Sequence, residues 1–96
     1  MAADPRVERI AEATGDEEST ILRRGLESYL ERERREATIR IEELREKYGV
    51  DRPEAVEDRL RNGEIDEHPA WEEVIEWENL NARMKTLRHL SKTIDE

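Results

Sequence analysis

The chain has 96 residues, of which 34% are hydrophobic and 45% charged, with no cysteine and a formal net charge of −9. This length fits one domain, or one domain with a helical extension, and the low apolar fraction predicts a thin core. The charge disfavours undirected binding to nucleic acid or anionic membranes, and the lack of cysteine excludes disulfides and thiolate chemistry.

The composition also sets expectations for location and partners. No apolar run is long enough to cross a bilayer and the amino terminus lacks a secretory core, so we expect a cytoplasmic protein with no membrane partner. Long amphipathic helices are stabilised mainly by packing their apolar side. The burial that this chain lacks is therefore expected from a homodimer, a heteromeric complex or both.

Two helices are predicted in the first half of the chain. Asp4 followed by Pro5 is a typical helix start, and this short first helix should end near Gly15. Asp16 is expected to cap a second helix. This helix should be long, because no Gly-Pro break follows before Gly49.

An apolar stripe runs along the long helix at spacings of three and four residues. Its members are Ile21, Leu22, Leu26, Tyr29, Leu30, Ala37, Ile41, Leu44 and Tyr48. Gly25 interrupts the helix interior at a cost of up to about 1 kcal/mol relative to alanine, which indicates a site of close packing.

Two more helices are predicted in the second half. Asp51 and Glu54 have the spacing of a capping box for a short third helix, which should stop at Asn62 and Gly63. Pro69 is expected to start a last amphipathic helix with the near-heptad apolar residues Trp71, Val74, Trp77, Leu80, Met84 and Leu87. No alternating strand pattern occurs. The predicted fold is all-α: a short and a long helix, then a short helix and a C-terminal amphipathic helix.

The charged residues 31–36 divide the chain into a predicted head, residues 1–36, and a predicted arm, residues 37–96. Residues 41–96 carry sixteen acids and nine bases, whereas residues 1–40 carry ten acids and eight arginines. We expect the head to dimerise through Leu22, Leu26, Tyr29 and Leu30. We expect the arm to bind a partner, or to pack on itself, through Trp71, Trp77, Leu80, Met84 and Leu87.

The two tryptophans are six residues apart and therefore point in different directions from the last helix. Two interpretations remain open. Both side chains belong to the core of a small domain, or one of them is an anchor in the groove of a partner.

Residues with catalytic or metal-binding chemistry are few. His68 and Glu72 are four residues apart, but a metal needs three or four ligands and His89 lies far along the chain, so the pair is interpreted as surface. The acids Glu72, Glu73 and Glu76 are expected on a solvated helix face. No nucleophile, base and orienting group can be assembled, so we expect no enzyme activity, no cofactor and no metal.

Residues 6–30 resemble the two helices of ribbon-helix-helix antitoxins, with a short helix ending in glycine, a serine-containing turn and an apolar stripe that closes on Tyr29-Leu30. The later elements around Tyr48-Gly49, Asn62-Gly63 and Trp77 are similar to the helical tails of prokaryotic, especially archaeal, antitoxin-like proteins. The resemblance implies a homodimer with a cognate toxin as partner.

The chain departs from that family at its amino terminus. Four residues precede Pro5, which leaves no room for the strand with which ribbon-helix-helix dimers read DNA. Either the true start lies upstream or the DNA reader has been lost, and DNA binding is disfavoured.

The functional hypothesis is an antitoxin-like protein that dimerises and neutralises a basic, ribonuclease-type toxin by helical wrapping, since acidic residues speed association with a basic groove. Two alternatives remain. One is a structural helical homo-oligomer or assembly module, and the other is a ribbon-helix-helix transcriptional regulator whose true start lies upstream.

Overall fold

The protein is an all-α rod. The computed structural model describes residues 4–94, and within that range it contains four helices and no strand. The helices are α1 (Pro5–Thr14), α2 (Glu18–Tyr48), α3 (Pro53–Arg61) and α4 (Glu67–Ile94). The predicted all-α fold is confirmed, including the order of short, long, short and C-terminal helix.

The boundaries of α1 follow from its capping residues. Asp4 caps the helix with its Oδ1 atom, which accepts a hydrogen bond from the Arg6 amide at 2.9 Å. Gly15 ends the helix in the left-handed conformation (φ 80°), and its amide donates to the Ala11 carbonyl. The prediction for Asp16 is wrong: Glu17 is the N-cap residue of α2, and it makes no side-chain capping bond.

The long helix α2 passes through the charged residues 31–36 without a break. Glutamate and arginine are good helix formers, and Arg35 and Glu31 form an ion pair at i and i+4. The boundary between the predicted head and arm therefore lies inside one helix, while residues 1–3 and 95–96 lie outside the described range.

The third helix starts differently from the prediction. Arg52 is its N-cap residue and makes no side-chain capping bond, so the capping box predicted from Asp51 and Glu54 is not formed. Pro53 occupies the first helical position and is buried, which anchors this end without a polar cap. The predicted stop is confirmed, since Asn62 is the C-cap and Gly63 has a φ of 69°.

The last helix begins its regular course at Pro69, as predicted. His68 has non-helical angles (φ −109°, ψ 131°), because the ring of a following proline disfavours the helical conformation at the preceding residue. None of the described helices combines the length and apolar character that crossing a membrane would require.

The core lies between α2, α3 and α4. Contacts pair early residues of α4 with late residues of α2, as between Glu73 and Tyr48, and later residues with earlier ones, as between Met84 and Thr38, so the two helices are antiparallel. The buried cluster consists of Ala37, Ile41, Leu44, Val56, Leu60, Ala70, Val74, Trp77 and Met84. The molecule measures 62 × 23 × 22 Å along its principal axes.

Candidate interaction site

Apolar side chains are exposed where α2 extends beyond the core. Leu22, Leu26 and Tyr29 are 52%, 50% and 53% exposed, and their spacing of four and three residues places them on one side of α2. Leu90 of α4 is 41% exposed. These four residues are called the apolar face below.

The position of Leu90 follows from its neighbours on α4. Arg83 pairs with Glu33 of α2. Hydrogen bonds to Glu33 and, to a smaller extent, to Tyr29 raise the pKa of Arg83, so Arg83 lies beside Tyr29. Leu90 is seven residues further along the same side of α4. Because the helices are antiparallel, Leu90 lies towards Leu26, and the apolar face spans both helices.

The four residues predicted to form a dimer interface do not share one environment. Leu22, Leu26 and Tyr29 belong to the apolar face, but Leu30 is 6% exposed and is buried within this chain. The physical reason is direction around the helix: Leu30 is seven residues before the buried Ala37 and faces the core, whereas the adjacent Tyr29 points about 100° away from it. Leu87 of α4, which is 3% exposed, lies buried at the same end of the helix pair.

The residues predicted to bind a partner or to pack the arm lie mainly in the protein's own interior. Trp77 and Met84 belong to the core cluster, Leu87 is also buried, and the half-buried Trp71 and Leu80 pack against the cluster. Of the two tryptophans, Trp77 is in the core at 1% exposure and Trp71 is at its edge. A role of this set towards a partner stays a prediction.

An open groove of about 620 Å³ runs between α2 and α4 on the other side of the pair. Leu30, Thr38, Met84 and Ser91 line it, and its rim carries the acids Glu27 and Glu31 and the bases Arg34 and Arg35. A rim of both signs selects no single ligand charge, so the groove does not indicate one class of ligand.

A network of polar side chains centred on Glu73 joins α2 to α4. The Glu73 carboxylate accepts hydrogen bonds from the Lys47 ammonium at 2.5 Å, the Tyr48 hydroxyl at 2.6 Å and the Arg40 guanidinium at 3.1 Å. Arg40 also donates to both carboxylate oxygens of Glu76 at 2.8 Å.

The prediction that Glu73 lies on a solvated helix face is wrong, because this residue is 9% exposed. The sequence does contain a signal for its burial. Glu73 follows Ala70 by three residues and precedes Trp77 by four, so it shares the buried side of α4 with both. The prediction was wrong because it considered the acidic composition of this segment and not the spacing of Glu73 to Ala70 and Trp77.

The network holds fixed protonation states. Burial raises the pKa of Glu73, but the hydrogen bonds from Lys47 and Tyr48 outweigh it and leave the pKa below its usual value. Burial and the bond to Glu73 raise the pKa of Tyr48. Every buried side-chain polar atom of the described residues has a partner, so the network is a structural connection between α2 and α4.

His68 and Glu72 form an exposed contact, with 2.7 Å between the Nδ1 and Oε1 atoms. In the range that the structure covers, no group of three histidine or acidic side chains is placed to hold a metal ion.

Comparison with known proteins gives a family and nothing more specific. No curated protein and no solved structure matches the chain. A family model described as "Uncharacterized protein MJ0235 family" matches residues 1–95.

Proposed function

The chain belongs to the MJ0235 family, and because that description names no activity, we propose from the structure that the protein is a non-catalytic helical interaction module that self-associates through the apolar face. The observation that carries this proposal is the exposure of Leu22, Leu26, Tyr29 and Leu90 side by side on two helices. Single exposed apolar residues are ordinary, whereas grouped ones are typical of interaction surfaces.

The packing of the remainder supports the same proposal. The apolar stripe of α4 is already covered by α2 and α3, since Trp77, Met84 and Leu87 are buried. The stripe of α2 is covered from Leu30 onwards, whereas Leu22, Leu26 and Tyr29 before it are exposed. A second protein surface is therefore needed at the start of α2, and the rest of the molecule acts as a stable support.

The experiment is a mass measurement by light scattering over a range of protein concentrations. The chain alone has a mass of 11.4 kDa, and we expect a larger, concentration-dependent mass for the wild type. Leu26→Glu should return the protein to 11.4 kDa, because it places a charge within the apolar face. Ile75→Glu is the matched control: Ile75 is equally exposed at 57% but lies on α4 away from that face.

Two outcomes would contradict the proposal. One is a wild type that stays monomeric at every concentration. The other is an associated wild type whose mass responds equally to both variants, because association would then not depend on the apolar face.

The antitoxin-like function is a second candidate, and it is favoured by the charge at the opposite end of the rod. Residues 51–68, the acid-rich end, carry seven acids against three bases. Two of those bases are engaged within the chain, since Arg59 donates to the Tyr48 carbonyl and Arg61 pairs with Glu57. An acidic surface of this kind suits a basic protein such as a ribonuclease-type toxin.

This second candidate is tested by co-expression with basic proteins encoded beside the gene. We expect a complex that weakens as salt is raised and that is weakened further by Asp58→Lys, which reverses an exposed charge at the acid-rich end. Glu36→Lys is the control, since it makes the same change on an exposed site of α2. Absence of any complex would remove this candidate without affecting self-association.

A further inference from the structure

Gly25 is not required by packing among the described residues. It lies in the interior of α2, is exposed, and a Cβ atom built on it would meet no atom within 4 Å apart from its chain neighbours and the backbone of its own helix. Glycine is the least favourable residue of a helix interior after proline, so its presence favours a close approach by another backbone. Nothing in residues 4–94 makes that approach.

The exposed side of α2 is arranged about Gly25. Leu22 and Tyr29 lie three residues before it and four after it, and Glu18 and Arg32 lie seven residues to either side. At 100° per residue all five positions fall within about 80° of one another around the helix. All five are exposed.

The two charged residues at the ends of this arrangement are available for pairing. No ion pair involves Glu18 or Arg32 in the described part of the chain, although their neighbours Glu31, Glu33 and Arg35 are paired. They have opposite charge and are equally distant from Gly25. The side of α2 is therefore complementary in charge to an antiparallel copy of itself.

We propose that the occupant of this face is a second copy of the chain, whose α2 crosses antiparallel over Gly25 on a two-fold axis. Glu18 then lies against the partner's Arg32, and Arg32 against the partner's Glu18, while Leu22 lies near the partner's Tyr29. The inference rests on the proposed self-association and adds the direction and register of the contact.

Symmetry favours a second copy over an unrelated helix. An isologous two-fold contact forms every pair twice, and glycine in both copies permits the closest approach at the point where the axes cross. A parallel crossing would place Glu18 against the partner's Glu18 and Arg32 against the partner's Arg32, which is repulsive. Only the antiparallel direction satisfies both charges.

Charge exchange tests the direction of the crossing. Glu18→Arg and Arg32→Glu should each weaken the dimer about tenfold at low salt, because two attractive pairs become two repulsive ones. The double variant Glu18→Arg/Arg32→Glu should return to wild-type affinity. A mixture of the two single variants should form heterodimers in preference to either homodimer.

A substitution at the crossing point tests the register. Gly25→Leu should weaken the dimer at least about tenfold, because the leucine side chain occupies the space where the two backbones approach. It should raise the helicity of the monomer, because leucine is a better helix former than glycine. Ala82→Leu is the control, since it enlarges a small exposed residue of α4 away from α2 and should leave the dimer unchanged.

The outcomes separate this inference from the proposed function. Suppose that Leu26→Glu abolishes dimerisation, whereas the single charge reversals and Gly25→Leu keep the wild-type dissociation constant. Self-association then stands and the crossing at Gly25 is wrong. If the wild type never associates, both fail. Restoration by the double variant together with disruption by Gly25→Leu supports the antiparallel crossing.

Discussion

Glu73 is the side chain on which the polar contacts between α2 and α4 converge. Its carboxylate pairs with Lys47 and Arg40 and accepts a hydrogen bond from the Tyr48 hydroxyl. Removing its charge leaves Lys47 and the Tyr48 hydroxyl without an anionic partner, whereas Arg40 keeps its contact with Glu76. We predict that Glu73→Gln lowers the free energy of unfolding by about 2 kcal/mol. Urea unfolding followed by circular dichroism measures the change.

Glu72 provides the control for that substitution. It is adjacent in sequence, but its side chain is 57% exposed and contacts only His68 among the partners described above. Glu72→Gln should change the free energy of unfolding by less than about 0.5 kcal/mol. Equal effects of the two substitutions would show that the network contributes nothing beyond an ordinary surface charge.

Acid should destabilise the protein through the same residue. The pKa values of Glu73 and Glu76 are lowered in the folded state, so the unfolded chain binds their protons more readily. Their contribution is complete above the usual glutamate pKa of about 4.3 and is lost as the pH falls through the lowered folded-state values.

The expected measurement is a steeper loss of stability between neutral and acidic pH in the wild type than in Glu73→Gln. Thermal melts at a series of pH values, down to the lowest pH at which unfolding is still reversible, give this comparison. Parallel pH profiles for the two proteins would be inconsistent with a lowered Glu73 pKa.

At the level of the helices, Trp77 joins α4 to the rest of the core. It is 1% exposed, whereas Trp71 is only half-buried at the edge of the same cluster. Trp77→Ala should cost about 4 kcal/mol of stability, near the range for deleting a large buried aromatic side chain.

Trp71→Ala should cost clearly less, and acrylamide quenching should reach Trp71 more readily than Trp77 when each is the sole tryptophan. If the two alanine variants are equally destabilised, the assignment of Trp77 to the centre of the core is incorrect.

The helices themselves could be predicted because their boundaries depend on local backbone preferences. Proline at positions 5 and 69 and glycine at 15 and 49 restrict or permit particular angles whatever the tertiary structure is. The caps expected at Asp16 and Asp51 failed because several neighbouring residues compete for a capping position, and packing decides between them, as the buried Pro53 does for α3.

The site was less predictable than the helices. Leu22, Leu26 and Tyr29 could be grouped from their spacing, but the burial of Leu30 depends on which side of α2 is covered by α4. The buried side of α4 that holds Glu73 could be read from its spacing to Trp77, but its partners on α2 and the position of Leu90 required the pairing of the two helices, which no local pattern contains. Residues that face each other across an antiparallel pair are far apart in sequence, so their environment follows only from the three-dimensional register.

The shape of the whole molecule gives a direct test of the proposed dimer. One chain is 62 Å long, and Gly25 lies seven residues, or about 10 Å of helix, from the start of α2. An antiparallel crossing there directs the two bodies away from each other.

We predict a maximum dimension of roughly 100 Å for the dimer by small-angle X-ray scattering, since two rods would overlap only near their ends. A parallel dimer would remain close to the length of one chain. A scattering dimension near 62 Å at the mass of a dimer would therefore contradict the antiparallel arrangement.

The lack of buried residues in α1 has a consequence for the motions of the free chain. Segments that bury little open locally at a small free-energy cost, so the amides of α1 should exchange their hydrogens for deuterium much sooner than those of α2 around Leu44, which is fully buried. If association covers this end of the rod, protection of α1 should increase with protein concentration. The protein would then complete its folding only when it meets its partner.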